Sequence, residues 1–323
     1  MAITMAQALN TALHDAMASD DRVLTFGEDV GALGGVFRIT DRLAERFGEA
    51  RCFDTPLAES GIIGTAIGMA LYGWKPVVEI QFDGFVYPAF EQITSHLAKL
   101  RNRSRGRVAV PVVVRIPYGG GIGAVEHHSE SPETYFLHTA GLKVVTPGTP
   151  SDAYSLLREA ITHPDPVIFF EPKRRYWLKE EVSLPVRTHA FGRAVVRRPG
   201  TTATIVAYGP MVRTCLDAAA AAEREGWDLE VLDLRTLNPL DTDALVGSVR
   251  RTGRAVVVHE ASVFAGFGAE IAAIVTERAF YDLEAPVLRV GGFDIPYPAA
   301  KLEEFYLPDT NRILDAIERS LGY

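Results

Sequence analysis

The sequence has little that would support an extracellular, membrane-spanning or metal-binding protein. It contains two cysteines in 323 residues, Cys52 and Cys215, too few for a disulfide framework and too far apart for a metal pair. No apolar run is long enough to span a bilayer. The first residues lack the basic start and apolar run of a signal peptide. We therefore expect a cytoplasmic protein, kept reduced, with no membrane partner.

Clustered positive charge is also scarce, since the net charge is −8. One basic segment, residues 101–107, holds four arginines. It has two interpretations: a nucleic-acid patch, or a solvated helix end, where the helix dipole favours cations. The overall acidity opposes nucleic acid and favours the helix end. We expect no nucleic-acid partner.

Common cofactor, metal and nucleophile motifs are missing. The glycine-rich segment 119–123 is not followed by the lysine of a phosphate loop. Gly266-Phe267-Gly268 lacks the third glycine of a dinucleotide fingerprint, so a tight turn at a helix start is favoured over NAD binding. His127 and His128 are adjacent and point apart, which disfavours joint chelation of a metal. The G-x-S-x-G nucleophile elbow is also absent.

Apolar strands alternate with helical periods in two runs, which predicts an α/β fold with parallel sheets buried on both faces. A capping box at Thr4 and Gln7 opens a helix that is expected to end near residue 17, and a further helix is predicted over residues 88–103. Residues 171–199 show no period and are interpreted as a linker. We predict two α/β domains with mostly parallel sheets, residues 1–185 and 186–323.

Two acidic residues follow elements that would end at the ligand-binding edge of the first sheet. Glu59 begins an apolar helix, where a carboxylate is either a helix-start anion or a working acid–base group. Glu28 ends the first strand, and the carboxyl ends of parallel strands form the edge where ligands bind. If both face one crevice, their repulsion raises one pKa and favours a shared proton.

Small residues line one face of the helix that Glu59 begins. Gly61, Gly64 and Gly68 are three and seven residues apart and share a face. Glycine inside a helix costs up to about 1 kcal/mol relative to alanine, so close approach by another group must offset it. Tight packing within the core and a subunit interface both remain open.

Histidine and aromatic residues form a second group of candidates. His128 follows the glycine-rich segment and could present a proton to a bound substrate, or could be part of a surface histidine pair. Phe82, Phe85 and Tyr87 follow a predicted strand. They could stack on a flat ring or belong to the core.

Several separated motifs occur in one order along the chain. They are Gly27-Glu28-Asp29-Val30, Gly34-Gly35-Val36-Phe37-Arg38, Asp54-Thr55-Pro56-Leu57-Ala58-Glu59, Glu79-Ile80-Gln81-Phe82, His128-Ser129, Gly141-Leu142-Lys143-Val144-Val145, Phe169-Phe170-Glu171-Pro172-Lys173 and Asp233-Leu234-Arg235-Thr236-Leu237. With these motifs the chain resembles, from about Thr4 to its C-terminus, the beta subunit of the thiamine-diphosphate-dependent decarboxylase component of 2-oxo acid dehydrogenase complexes, the branched-chain type most closely and the pyruvate type next. The resemblance implies a transketolase-like fold and an α2β2 heterotetramer.

The resemblance also implies roles for particular residues. Glu59 matches the glutamate that hydrogen-bonds a pyrimidine ring nitrogen of thiamine diphosphate and activates the cofactor by proton transfer. Leu57 and Phe85 match positions that line the pyrimidine. Glu28 matches an acidic residue of a water-filled path between two active sites. His128 matches the histidine that assists acyl transfer to lipoyl-lysine.

Two ions are implied as well. In the family, the alpha chain holds Mg²⁺ and the diphosphate through a motif that begins Gly-Asp-Gly, which this sequence lacks. Some relatives also bind a structural K⁺, largely through backbone carbonyls, although they usually carry Asp and Asn where this chain has the last two of the matching residues. Those matching residues are Val112, Ala160, Ile161, His163 and Asp165.

The activity implied is oxidative decarboxylation of a branched-chain 2-oxo acid, with acyl transfer to a lipoylated dihydrolipoyl acyltransferase core. Pyruvate or acetoin is the alternative substrate. A non-catalytic scaffold subunit is the alternative of another class. By analogy, Asp294, Glu303 and Glu304 are candidates for docking a basic domain of the acyltransferase.

Overall fold

The computed structural model describes residues 2–182, 185 and 191–323. Its strands are β1 Ala2–Thr4, β2 Val23–Gly27, β3 Cys52–Asp54, β4 Lys75–Glu79, β5 Val113–Tyr118, β6 Lys143–Val145, β7 Val167–Pro172, β8 Lys179–Glu181, β9 Val195–Arg198, β10 Ala203–Ala207, β11 Leu229–Asp233, β12 Thr236–Asn238, β13 Ala255–Ser262 and β14 Leu288–Gly292. Its α-helices are α1 Met5–Ser19, α2 Leu43–Phe47, α3 Glu59–Leu71, α4 Leu100–Arg103, α5 Glu133–Leu137, α6 Pro150–Thr162, α7 Met211–Ala222, α8 Thr242–Thr252, α9 Phe267–Ala279, α10 Glu303–Tyr306 and α11 Thr310–Leu321.

A seven-stranded sheet, in the order β12-β6-β7-β5-β4-β2-β3, organises the first half of the chain. All its pairs are parallel except β12 with β6. Helices α1 and α6 cover one face and α3 covers the other. The predicted capping box starts α1: the Gln7 amide donates to Thr4 Oγ1 (3.2 Å), and the Thr4 amide donates to Gln7 Oε1 (2.9 Å). Two covered faces explain the uninterrupted Val and Ile strands.

The second half forms a five-stranded sheet in the order β14-β13-β10-β11-β9. Strand β9 is antiparallel to β11, and the other pairs are parallel. Helices α7 and α11 pack on one face. Helices α8 and α9 pack on the other, and their apolar cluster is continuous with the α3 side of the first sheet. The predicted architecture of two mostly parallel α/β sheets is confirmed.

Strand β12 connects the two halves. It follows β11 of the second sheet directly, yet it pairs with β6 at the edge of the first sheet. The side-chain amide of Asn238 donates to the Leu142 carbonyl (2.9 Å), and the Thr146 amide donates to the Arg235 carbonyl (2.9 Å). The edge of the first sheet is thus built by the second half of the chain.

The expectation that residues 171–199 lack regular structure is wrong. Strand β7 continues to Pro172, β8 pairs with β1, and β9 joins the second sheet. Strands β8 and β9 are short edge strands with charged residues, so they carry no apolar period to reveal them. The predicted boundary between residues 185 and 186 stays a prediction, because residues 183–184 and 186–190 lie outside the described part.

The single helix predicted over residues 88–103 is also wrong. The chain forms a 3₁₀ helix at Asp83–Ala89, a π-helix at Gln92–Leu97 and then α4. Pro88, inside the first of these, has no amide hydrogen to donate, so an α-helical pattern cannot run through it. In the basic segment, Arg101 lies in the last turn of α4 and pairs with Asp165 (2.5 Å), as the helix-end interpretation expects.

Other features of composition have simple structural counterparts. Cys52 and Cys215 are both buried and free. In the part of the chain that the structure describes, every helix is too short or too polar to cross a membrane.

Candidate active site

The carboxyl ends of β2, β3 and β4 meet at one edge of the seven-stranded sheet, which is where parallel sheets bind ligands. The Thr55 amide donates to the Gly27 carbonyl (2.9 Å), which joins the chain after β3 to the end of β2. The side-chain amide of Gln81 donates to Asp29 Oδ2 (2.8 Å), which joins the chain after β4 to the same place. The loop after each strand is therefore fixed relative to its neighbour.

The structure brings Glu28 and Glu59 together at this edge. Glu28 is 3% exposed, and its Oε1 has no hydrogen-bond partner among the described residues. Burial, and then the charge of Glu59, raise the pKa of Glu28 from 4.5 to about 7. Glu59 is half-buried and is the first residue of α3, where the helix N-terminus stabilises its negative charge. A buried carboxyl with a raised pKa thus lies beside a second carboxyl at the start of a helix.

This arrangement predicts a pH-dependent stability. Because the pKa of Glu28 is about 7 when folded and 4.5 otherwise, the folded chain holds a proton that the unfolded chain has lost. The contribution of Glu28 to stability is greatest below pH 4.5 and falls as the pH rises to about 7. In urea unfolding at about pH 5 and about pH 8, Glu28→Gln should lose less stability with rising pH than the wild type. Equal losses would contradict the burial of an ionisable Glu28.

An open apolar surface adjoins the two carboxylates. Leu57, which precedes Glu59, is 82% exposed. A Cβ placed on Gly68 would meet nothing within 4 Å, and one on Gly64 would meet no atom nearer than Gln92 Oε1 at 3.7 Å. The glycine face of α3 is therefore not tightly packed within the chain, and the interpretation as a subunit interface remains.

His128 lies in an aromatic cluster next to this edge. Its ring stacks on Phe82 with centroids 4.0 Å apart and meets Phe85 edge to face at 5.0 Å. Its Nδ1 is 2.8 Å from the His127 carbonyl oxygen. A carbonyl oxygen accepts but cannot donate, so Nδ1 carries the hydrogen and the neutral ring has its lone pair on Nε2. The ring is thus oriented, with Nε2 left for a proton transfer.

Buried polar groups beneath the cluster hold His128 in place. Asp83 forms a fully buried ion pair with Lys173, and its Oδ2 accepts a hydrogen bond from the Glu130 amide (2.8 Å). Lys173 Nζ lies 5.5 Å from the centre of the Phe82 ring on which His128 stacks. Gly84 lets the segment of His127 and His128 pack close to the backbone, because a Cβ on residue 84 would lie 2.3 Å from the His127 carbonyl oxygen. The roles of Lys173, Asp83 and Gly84 were not predicted from the sequence.

A second buried network lies deeper in the sheet and was also missed. The Arg115 guanidinium donates two hydrogen bonds to Glu171 (2.7 and 2.9 Å) and one to Glu79 (2.7 Å). The Tyr176 hydroxyl donates to Glu171 Oε2 (2.7 Å). Burial raises the pKa of Glu79. A charged residue inside each of three apolar strands was the available signal, since buried charges are almost always paired.

The glycine-rich segment 119–123 is held by carboxylates from the second half of the chain. The amide of Gly120 donates to Glu260 Oε1 (2.5 Å), and that of Gly121 donates to Glu303 Oε1 (2.7 Å). These amides bind protein groups, which explains why the segment needs no phosphate-loop lysine. Glu303 is buried here, so its assignment to an exposed docking surface is wrong; Asp294 and Glu304 are exposed.

The glycines of Gly266-Phe267-Gly268 have a packing explanation. A Cβ on Gly266 or on Gly268 would lie 2.6 Å from the ring of His259, which is fully buried. The preference for a turn at a helix start over NAD binding agrees with α9, which begins at Phe267.

The five positions matched to a K⁺ site lie around the end of α6 and the start of β5. The Val112 carbonyl accepts from the Val167 amide (2.9 Å), and the Ala160 carbonyl accepts from the His163 amide (3.2 Å). The carboxylate of Asp165 is paired with Arg101. A K⁺ site at these residues stays a prediction. Among the described residues, no group of three or more His, Cys, Asp or Glu could hold a metal ion.

Comparison with known proteins decides the family. The chain matches the transketolase pyrimidine-binding domain over residues 1–177 and the transketolase C-terminal domain over residues 192–313. It is 59% identical to the 3-methyl-2-oxobutanoate dehydrogenase subunit beta of Mycobacterium tuberculosis, with 99% of this chain and 92% of the relative aligned. The chain belongs to the family of 2-oxo acid dehydrogenase E1 beta subunits.

Other relatives support the family and leave the substrate type open. This E1 beta subunit is 57% identical to the pyruvate dehydrogenase E1 component subunit beta of Leifsonia xyli, covering 99% of the chain and 95% of the relative. A split-gene transketolase, solved as an inactive beta4 tetramer, superposes with a TM-score of 0.82 at 25% identity over 99% of this chain and 98% of that one. The predicted transketolase-like fold is confirmed.

Proposed function

We propose that this chain supplies the pyrimidine-activating half of a thiamine-diphosphate-dependent 2-oxo acid dehydrogenase. The observation that carries the proposal is the pairing of buried Glu28 with half-buried Glu59 at the carboxyl edge of the sheet, beside an exposed Leu57. The unpartnered buried oxygen of Glu28, the carboxylate of Glu59 and the exposed apolar surface of Leu57 together fit a flat, polar heterocycle. Leu57 and Phe85 would line the pyrimidine, and Glu59 would hold its ring nitrogen.

In this mechanism the chain's own residues manage protons and orientation. When bound, thiamine diphosphate supplies the carbon nucleophile that adds to the 2-oxo group. Glu59 would hold and move a proton at the pyrimidine ring nitrogen, because the adjacent Glu28 allows one proton to be kept between two carboxyls. Glu28 then serves as the inner end of a proton path. His128, oriented through Nδ1, transfers a proton at Nε2 during acyl transfer to lipoyl-lysine.

A partner must complete the site. The diphosphate-binding Gly-Asp-Gly motif is absent from the sequence, and the glycine-segment amides are already bound to Glu260 and Glu303. We propose that an alpha subunit holds the diphosphate and Mg²⁺ and covers the open glycine face of α3 in an α2β2 heterotetramer. Titration of thiamine diphosphate–Mg²⁺ should give saturable binding to the co-expressed complex and none to the chain alone. Absence of binding to both would favour a scaffold subunit.

The role of His128 can be separated from that of Glu59. His128→Asn should lower acyl transfer to a lipoylated domain by about 10²-fold, the low end of a lost general acid–base group. Decarboxylation followed with an artificial electron acceptor should change by less than about tenfold, because that reaction bypasses lipoyl transfer. Equal losses in both assays would count against the assignment. His127→Asn, one residue earlier and more exposed, is the matched control.

The substrate type is a separate proposal. The relatives named for 3-methyl-2-oxobutanoate and for pyruvate are almost equally similar to this chain. We propose a branched-chain 2-oxo acid as the preferred substrate and a lipoylated dihydrolipoyl acyltransferase core as the acceptor. A panel of 2-oxo acids tested on the co-expressed complex decides between the branched-chain acid, pyruvate and acetoin. Higher kcat/KM for pyruvate would overturn the branched-chain assignment.

A further inference from the structure

A separate cavity of about 360 Å³ lies between the two halves of the chain. The first half contributes Tyr87 and the segment from Ser129 to Tyr135, and the second half contributes residues around Glu260, Phe264 and Tyr297. The residues proposed to contact the pyrimidine do not line it. Its size is within the range of small-molecule sites.

Aromatic rings from both halves enclose this cavity. On one wall Tyr87 and Tyr135 meet edge to face, with centroids 6.1 Å apart. On the other wall Tyr297 and Tyr306 are 4.9 Å apart at 63°. Such rings present faces with negative electrostatic potential, which attract organic cations.

The polar groups of the cavity also favour a cation. Glu130 and Glu260 line it, whereas no lysine, arginine or histidine does. Glu130 Oε2 accepts from the Tyr87 hydroxyl (3.1 Å), and no described basic side chain forms an ion pair with Glu130. Glu260 is 3% exposed; its Oε2 has no hydrogen-bond partner among the described residues and forms one long ion pair, with Arg174 outside the cavity wall (3.7 Å).

Further hydrogen-bonding capacity remains at the wall nearest His128. The hydroxyls of Ser129 and Ser131 are buried and have no partner in the described part of the chain. Ser129 is 1% exposed. Buried polar atoms are nearly always satisfied, so these oxygens indicate a site for a ligand with donors.

We propose that this cavity binds a small organic ammonium ion. The ammonium group would lie between Glu130, Glu260 and the serine hydroxyls, and its alkyl body would contact the tyrosine rings. An amino acid is a poorer ligand, because its carboxylate would find two carboxylates and no basic residue in the cavity wall. The site is distinct from the proposed decarboxylase site, so the test requires no decarboxylase activity.

The test is calorimetric titration of the full chain near neutral pH with isobutylamine, which is protonated there. We expect saturable binding with a Kd of about 1 mM. Isobutanol, the uncharged analogue, and L-valine, the analogue with a carboxylate, should bind at least about tenfold more weakly. Equal binding of isobutanol, or no saturable heat from isobutylamine, would overturn the proposal.

Variants locate the binding. Glu130→Gln keeps the shape of the cavity and should weaken isobutylamine binding about tenfold; Tyr135→Leu keeps an apolar wall without the ring and should weaken it about threefold. Glu270→Gln, at an exposed carboxylate outside the cavity, is the matched control and should bind as the wild type does. Unchanged affinity in Glu130→Gln, with an unchanged thermal midpoint, would contradict the assignment.

Discussion

Glu59→Gln is expected to lower decarboxylation by the assembled enzyme about 10²- to 10⁴-fold, the range for loss of a positioned acid–base group. Glutamine keeps the size of the side chain and can still donate a hydrogen bond, but it cannot exchange a proton. Because Glu59 is only half-buried and is the first residue of α3, its replacement should leave folding and assembly with the alpha subunit intact. Steady-state kinetics and the mass of the purified complex measure both results.

A matched variant separates this role from simple stabilisation of a helix. Glu270 lies in the first turn of α9 and is exposed. If Glu59 were a helix-start anion alone, Glu59→Gln and Glu270→Gln would each lower the free energy of unfolding by about 0.3–1 kcal/mol, and neither would change turnover. Near-normal decarboxylation by Glu59→Gln would therefore reject the catalytic assignment.

Arg115→Met should be the most destabilising of the variants considered, at about 3–5 kcal/mol of unfolding free energy. Arg115 is fully buried, and its guanidinium is the shared hydrogen-bond donor to Glu79 and Glu171. Its removal leaves two buried carboxylates facing each other without a cation. Urea unfolding of the full chain, followed by circular dichroism, gives the change.

Two controls define what that loss means. Arg103→Met, at an exposed arginine of α4, should change stability by less than about 0.5 kcal/mol. Changing Glu79 and Glu171 to leucine together with Arg115→Met should recover much of the loss, because buried ion pairs contribute little net stability over apolar replacements. A cost below about 1 kcal/mol for Arg115→Met alone would show that the carboxylates escape burial.

Sequence reasoning succeeded where local signals agreed with the tertiary structure. The capping box at Thr4 and Gln7 was predicted to the residue, because the helical period and the capping chemistry coincide there. The edge that joins Glu28 and Glu59 followed from the parallel sheet alone. Family resemblance added roles for these residues that no spacing could provide.

It failed where a feature depends on contacts between distant parts of the chain. Arg115 pairs with carboxylates 36 and 56 positions away, and Lys173 pairs with Asp83 across 90 positions. The 3₁₀ helix that begins at Asp83 packs against the segment of His127 and His128, and Gly84 is the residue at which the two segments approach closely. Such pairings are set by the topology of the sheet, so a single sequence shows their members merely as separate charged residues.

Strand β12 gives the chain a property that its two family domains would not have separately. Cutting the chain near residue 185 would leave the first fragment with an open β6 edge, which invites strand addition by other molecules. The second fragment carries the strand that fits this edge. We expect the separate fragments to aggregate or remain poorly folded, and the two fragments mixed together to associate into one folded complex. We therefore expect the whole polypeptide to unfold as one cooperative unit.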